Sequence, residues 1–140
     1  MREHLREQLL RHEGEVLHAY QDHRGYTTIG VGRLIDEQRG GGISHDEAMY
    51  LLDNDIRRIT AQLRQTDWYL DQNSVRKQAV ANMAFQLGVE GLLSFERMIH
   101  NMRVGYYGAA SDEALDSLWA KQTPERAREI AAMIRSGEHE

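Results

Sequence analysis

The chain has 140 residues, 41% apolar and 28% charged, a composition that suits one globular domain whose core needs neither disulfides nor metal. It has no cysteine, which excludes thiol nucleophiles and thiolate zinc sites, and its net charge of -5 argues against nonspecific binding to nucleic acid or anionic membranes. No apolar run approaches the roughly 20 residues that cross a bilayer, so stable membrane insertion is not expected.

Leu5, Leu9 and Leu10 share one face at helical spacing, which predicts a first helix over 3–13 that Gly14 ends. The segment alternates charges with leucines and lacks the apolar block and small-residue cleavage site of a secretory signal, so synthesis in a cytoplasm without export is expected. From Val16 to Ile35 the texture turns to Val, Tyr, Thr and Ile interrupted by Asp22, Gly25, Gly30 and Gly32, which suits two or three short antiparallel strands closed by Arg39-Gly40-Gly41-Gly42. Ser44-His45-Asp46-Glu47 is a capping box, and behind it Ala48, Leu51, Leu52, Ile56, Ile59 and Leu63 recur at helical spacing, predicting a long helix over 45–64. Asn73 or Ser74 caps the next helix, which runs through Val75, Ala79, Met83 and Leu87 to a stop at Gly88. Leu92, Phe95, Met98, Ile99 and Met102 form a further apolar face ending at Gly105, and Ala109 to Trp119 another. Thr123-Pro124 reads as a cap followed by a proline at the first helical position, opening a last helix that buries Ala127, Ile130, Ala131 and Ile134 and stops at Gly137.

These elements predict an α+β, mainly helical fold: a small antiparallel β-hairpin lobe over about 14–45, joined by the helix over 45–64 to a helical lobe over about 65–137, with helix 3–13 packed on the latter. The whole of 1–140 reads as a single domain. Glu13 at a helix end, with Asp22 and Thr28 in the hairpin, would place two carboxylates and a hydroxyl around one groove. Cleaving a glycosidic bond needs a proton on the leaving oxygen while the cation-like sugar is stabilised or attacked by water, and an acid with a second carboxylate suffices. Taken alone, a Glu at a helix end and an Asp in a turn are also everyday surface residues. His12, His18, His23 and His45 form no HExxH or comparable pattern, so neither a metal nor a cofactor is expected.

Several separated segments add to this reading: His12-Glu13-Gly14, Tyr20-Gln21-Asp22, Gly25 through Gly32, Asp46-Glu47-Ala48, Asn82 through Gly88, and Trp119 through Ala127. In this order they resemble the phage-type lysozymes of the T-even coliphage kind, over roughly residues 5 to 137. The resemblance implies a lysozyme-like fold and an endolysin activity: a muramidase cleaving the β-1,4 bond between N-acetylmuramic acid and N-acetylglucosamine in bacterial peptidoglycan, with inversion, for host cell lysis. It implies that Glu13 is the catalytic acid, Asp22 the second carboxylate and Thr28 the catalytic threonine. Phe85 and Gln86 match the cleft-lining, substrate-binding pair, and Arg126 matches an arginine that pairs with the acid or serves structurally. A monomer is expected, held in the host cytoplasm until a holin, acting without direct contact, releases it to the wall in the periplasm.

The chain departs from that pattern in places. Asp36 to Ile43 is shorter than in the T-even enzymes, which opens the cleft rim; Arg33 replaces a salt-bridged histidine, so that pair is not available in the same form; Met98 replaces a substrate-contacting serine and Glu113 an asparagine. A lytic transglycosylase needs only one acid, so Asp22 and Thr28 together favour hydrolysis. The rival from another class is a non-catalytic peptidoglycan-binding or adaptor protein on the same fold.

Overall fold

Residues 2–36 and 40–139 are described by a computed structural model; Arg39 of the expected hairpin-closing run lies outside them. The chain forms two units, residues 1–50 and 51–140.

The first unit opens with α1 (Arg2–Glu13), ended where the Gly14 amide returns to the Leu10 carbonyl at 3.0 Å. A three-stranded antiparallel sheet follows in the order β1 (Val16–Gln21), β2 (Thr27–Gly30), β3 (Arg33–Leu34). Tyr20 and Gln21 pair with Thr28 and Thr27, Val16 pairs with Gly30, and the register shifts between Val16 and Tyr20. Thr28 and Ile29 pair on their other side with Leu34 and Arg33, so β2 is the central strand. Thr28 is the one fully buried side chain among the described residues of this unit, and α1 contributes none.

At the start of α2 (His45–Leu63) the capping box forms as the sequence predicts. The Glu47 amide donates to Ser44 Oγ at 3.1 Å and the Ser44 amide to Glu47 Oε1 at 2.9 Å, satisfying two otherwise orphaned donors reciprocally. Arg33 is not left without an acid: its guanidinium meets Glu47 as a fork, Nη1 to Oε1 and Nη2 to Oε2, both at 2.8 Å. A pair therefore exists at this position, made with a glutamate of the following helix's first turn.

The second unit is helical: α3 (Asp67–Leu70), α4 (Ser74–Leu93), α5 (Glu96–Arg103), α6 (Tyr107–Leu115), α7 (Leu118–Gln122) and α8 (Pro124–Ser136), in addition to the rest of α2. Asn73 caps α4 by accepting from the Arg76 amide. Gly88, the expected stop, has φ 79 and ψ 158, a conformation that interrupts the helical path and that a side chain would resist. Leu92 and Phe95 belong not to the helix of Met98 and Met102 but to the end of α4 and the residue before α5. The stretch expected as one face from Ala109 to Trp119 breaks after Leu115, and Ser117 caps α7 by accepting from the Ala120 amide. Thr123 does not cap α8: its hydroxyl donates back to the Trp119 carbonyl at 3.0 Å. Pro124 does take the first helical position, where its missing amide costs nothing.

The core lies in this second unit, where Leu63, Val80, Met83, Leu92, Met98, Met102 and Ile134 are nearly or fully buried and alanines at 79, 84, 110, 114 and 127 let the helices approach. α8 packs on α4, α6 and α7, and α5 on α6. Trp68 and Trp119 are both buried.

Candidate active site

Glu13 is the last residue of α1, facing the negative end of the helix dipole, a place helix stability alone does not select for an acid. Its carboxyl rests on the turn between β2 and β3. Gly32 has φ +72, and a Cβ there would lie 2.8 Å from Glu13 Oε2 and 3.0 Å from Cδ. A side chain at that backbone would be strained by the positive φ and would push the Glu13 carboxyl from its place.

Asp22 sits between β1 and β2. Its Oδ1 accepts from the Arg24 amide at 2.8 Å and the Tyr26 amide at 2.9 Å, while its own amide donates to the Tyr26 carbonyl at 2.8 Å. The Tyr26 amide is the main cause that holds the Asp22 carboxyl below the ordinary carboxylate range; the Arg24 amide and the charges of His23 and Arg24 add to it against partial desolvation. Two residues on, the buried Thr28 donates its hydroxyl proton to the same Tyr26 carbonyl at 3.0 Å. The Tyr26 main chain thus fixes both side chains, and each is left able only to accept a further hydrogen bond. Arg24 lies over the Tyr26 ring at 5.6 Å.

In the second unit, Phe85, Asn82 and Arg126 line a largely apolar cavity of about 280 Å³ with Leu52, Ile56 and Ile59. Phe85 is 45% exposed, a wall of that cavity and not the core residue its apolar character suggests. Gln86 Oε1 accepts from Trp119 Nε1 at 2.8 Å, and Trp119 stands edge-on to Phe95, so the glutamine is oriented from the core. Arg126 donates from Nε to Asn82 Oδ1 at 2.9 Å and from Nη2 to the Asn82 carbonyl at 3.3 Å. Met98 is fully buried.

Sequence reasoning missed Tyr26, Gly32 and Asn82 in these roles. The doublet Gly30-Val31-Gly32 carried a signal for the second, since paired glycines mark a turn with positive φ. Tyr26 acts through its main chain and Asn82 through a tertiary contact, which spacing does not encode.

The sequence pattern of the phage lysozyme family matches residues 10–137. The chain belongs to the phage lysozyme family. It is 28% identical to probable T4-type lysozyme 1 of Dictyostelium discoideum, covering 89% of each chain. It is 31% identical to an endolysin of Acyrthosiphon pisum secondary endosymbiont phage 1, over 79% of this chain and 73% of that one. Over 94% of its length it is 32% identical to the pre-baseplate central spike protein Gp5 of Enterobacteria phage T4, of which it spans only 27%. Phage lysozyme membership supports a glycoside hydrolase with peptidoglycan as its substrate.

Proposed function

We propose that this phage lysozyme family member is a muramidase that hydrolyses the β-1,4 bond between N-acetylmuramic acid and N-acetylglucosamine, with inversion at the anomeric carbon. The observation that carries this reading is the way the Tyr26 main chain holds Asp22 as a carboxylate and Thr28 as an acceptor. A water between those two groups donates one proton to each, which leaves its lone pair to face the anomeric carbon. As the new C–O bond forms, Asp22 takes the water's proton and Glu13 gives its own to the leaving oxygen. Glu13 ends as a carboxylate and Asp22 as an acid, and exchange with solvent restores both. General acid and general base assistance of this kind are each worth roughly 10²- to 10⁴-fold.

Phe85 supplies an apolar wall for a sugar face. Gln86, its Oε1 engaged by Trp119, presents its amide protons to an acetamido carbonyl. The two bonds to Asn82 support a structural role for Arg126. Host cell lysis is the setting we propose, with a holin opening the way to the periplasm and the enzyme acting as a monomer. No helix among the described residues is long and apolar enough to cross a membrane. The reading is tested by turbidity loss of chloroform-treated Gram-negative cells. Wild type is expected to clear them and Glu13→Gln to leave them turbid. Equal clearing by both, or wall binding by wild type without clearing, sinks it, the latter in favour of a non-catalytic wall-binding protein.

A further inference from the structure

We propose that Arg33 and Glu47 are positioning residues for the acid, clasping the turn on which Glu13 rests to the capped start of α2. The inference rests on the muramidase reading for its kinetic consequence and on geometry alone for its structural one. β3 is two residues long; among the described residues its ladder pairs with β2 alone, and one further backbone bond, from the Gly42 amide to the Leu34 carbonyl at 3.0 Å, holds it, so main-chain pairing is a weak restraint. Yet it directly follows Gly32, whose α-carbon carries the Glu13 carboxyl, and its Leu34 is the backbone partner of Thr28. Two site residues therefore depend on where this short segment lies.

The clasp supplies what the ladder lacks. Both arms of the Arg33 fork reach the Glu47 carboxylate at 2.8 Å, and Nη1 also donates to the Gly42 carbonyl at 3.4 Å. The second anchor is itself fixed, because Glu47 Oε1 accepts from the Ser44 amide while its own amide is held by Ser44 Oγ. A planar fork on a carboxylate restricts orientation as well as distance, which a lysine in its place does not. Both side chains are close to half exposed, and exposed ion pairs contribute little to global stability. The clasp is thus built to hold one turn and not to hold up the fold, and its loss is read in catalysis before it is read in melting.

The test uses wild type, Arg33→Ala, Arg33→Lys and the double variant Arg33→Ala/Glu47→Gln. Steady-state cleavage of soluble peptidoglycan fragments is followed together with thermal melting and amide hydrogen exchange. Arg33→Ala is expected to lower kcat about tenfold with KM nearly unchanged, since small misplacement of a reacting group is costly. Arg33→Lys recovers part of that loss, and the double variant is no worse than Arg33→Ala because both remove one contact. Exchange at the Ile35 amide, which donates to the Thr27 carbonyl across β2 and β3, quickens in Arg33→Ala while Tm moves by a few degrees at most. An unchanged kcat in an active enzyme, or a loss of kcat that tracks the loss of Tm across the variants, overturns the proposal. Wild type that cleaves nothing overturns the muramidase reading instead. In that case quickened Ile35 exchange still upholds the clasp, and unchanged exchange overturns it.

Discussion

The two units of this chain are stabilised in opposite ways. Residues 51–140 bury a continuous core of Leu, Ile, Val, Met, Ala and both tryptophans, whereas the described residues of 1–50 bury Thr28 alone. What orders the first unit is polar and local: the amides on Asp22, the Thr28 hydroxyl on Tyr26, the Ser44–Glu47 box and the Arg33 fork. Hydrophobic burial is non-directional and tolerates small shifts, while hydrogen bonds at fixed angles set where a carboxylate points. The unit with no buried apolar side chain among its described residues is the one that carries the three proposed catalytic groups.

That contrast can be broken most forcefully in the core. Leu63→Ala, at a side chain with no exposed surface, is expected to lose roughly 2–5 kcal/mol in denaturant unfolding, with turnover per folded molecule unchanged. Gly32→Ala inverts the pattern: its Cβ would crowd Glu13 Oε2, so activity should fall by about 10²-fold while the melting point drops modestly. Arg76 ties α4 to the end of α8 through the Ile134 and Arg135 carbonyls and lies 3.4 Å over the Tyr107 ring. Arg76→Ala should cost about 1–3 kcal/mol of stability and no specific activity.

A smaller effect separates the units by pH. Arg33 and Ser44 pull the Glu47 carboxyl from 4.5 down to about 2, so the stability it contributes is complete above its ordinary value and is lost as pH falls toward 2. In melts across that interval wild type should lose more than Glu47→Gln; parallel curves would show that the fork does not hold in solution. Smallest of all, Leu17→Ala on the sheet, 80% exposed, should shift stability by no more than about 0.5 kcal/mol.

Much of the fold was legible because its signals are local. The Ser44 capping box, the Asn73 cap, the Gly88 interruption and Pro124 at a helix start each follow from a residue's own backbone preferences. The errors arose where a neighbouring turn competes. Thr123 has a better acceptor in the Trp119 carbonyl than any donor at its own helix start, and the break at Asp116 and Ser117 interrupts a stretch whose apolar content is continuous. At the proposed site, the residue types and order of the candidates Glu13, Asp22 and Thr28 come from the sequence. Their supports do not, since Tyr26 contributes its main chain, Gly32 the absence of a side chain, and Glu47 a partner fourteen residues from Arg33.

In the proposed reaction, a water held by Asp22 and Thr28 attacks from the face of the sugar opposite the leaving group. Proton NMR of the first product released from a β-linked glycan, recorded before mutarotation, reports that geometry directly. The α anomer is the predicted product, and release of the β anomer would contradict the account.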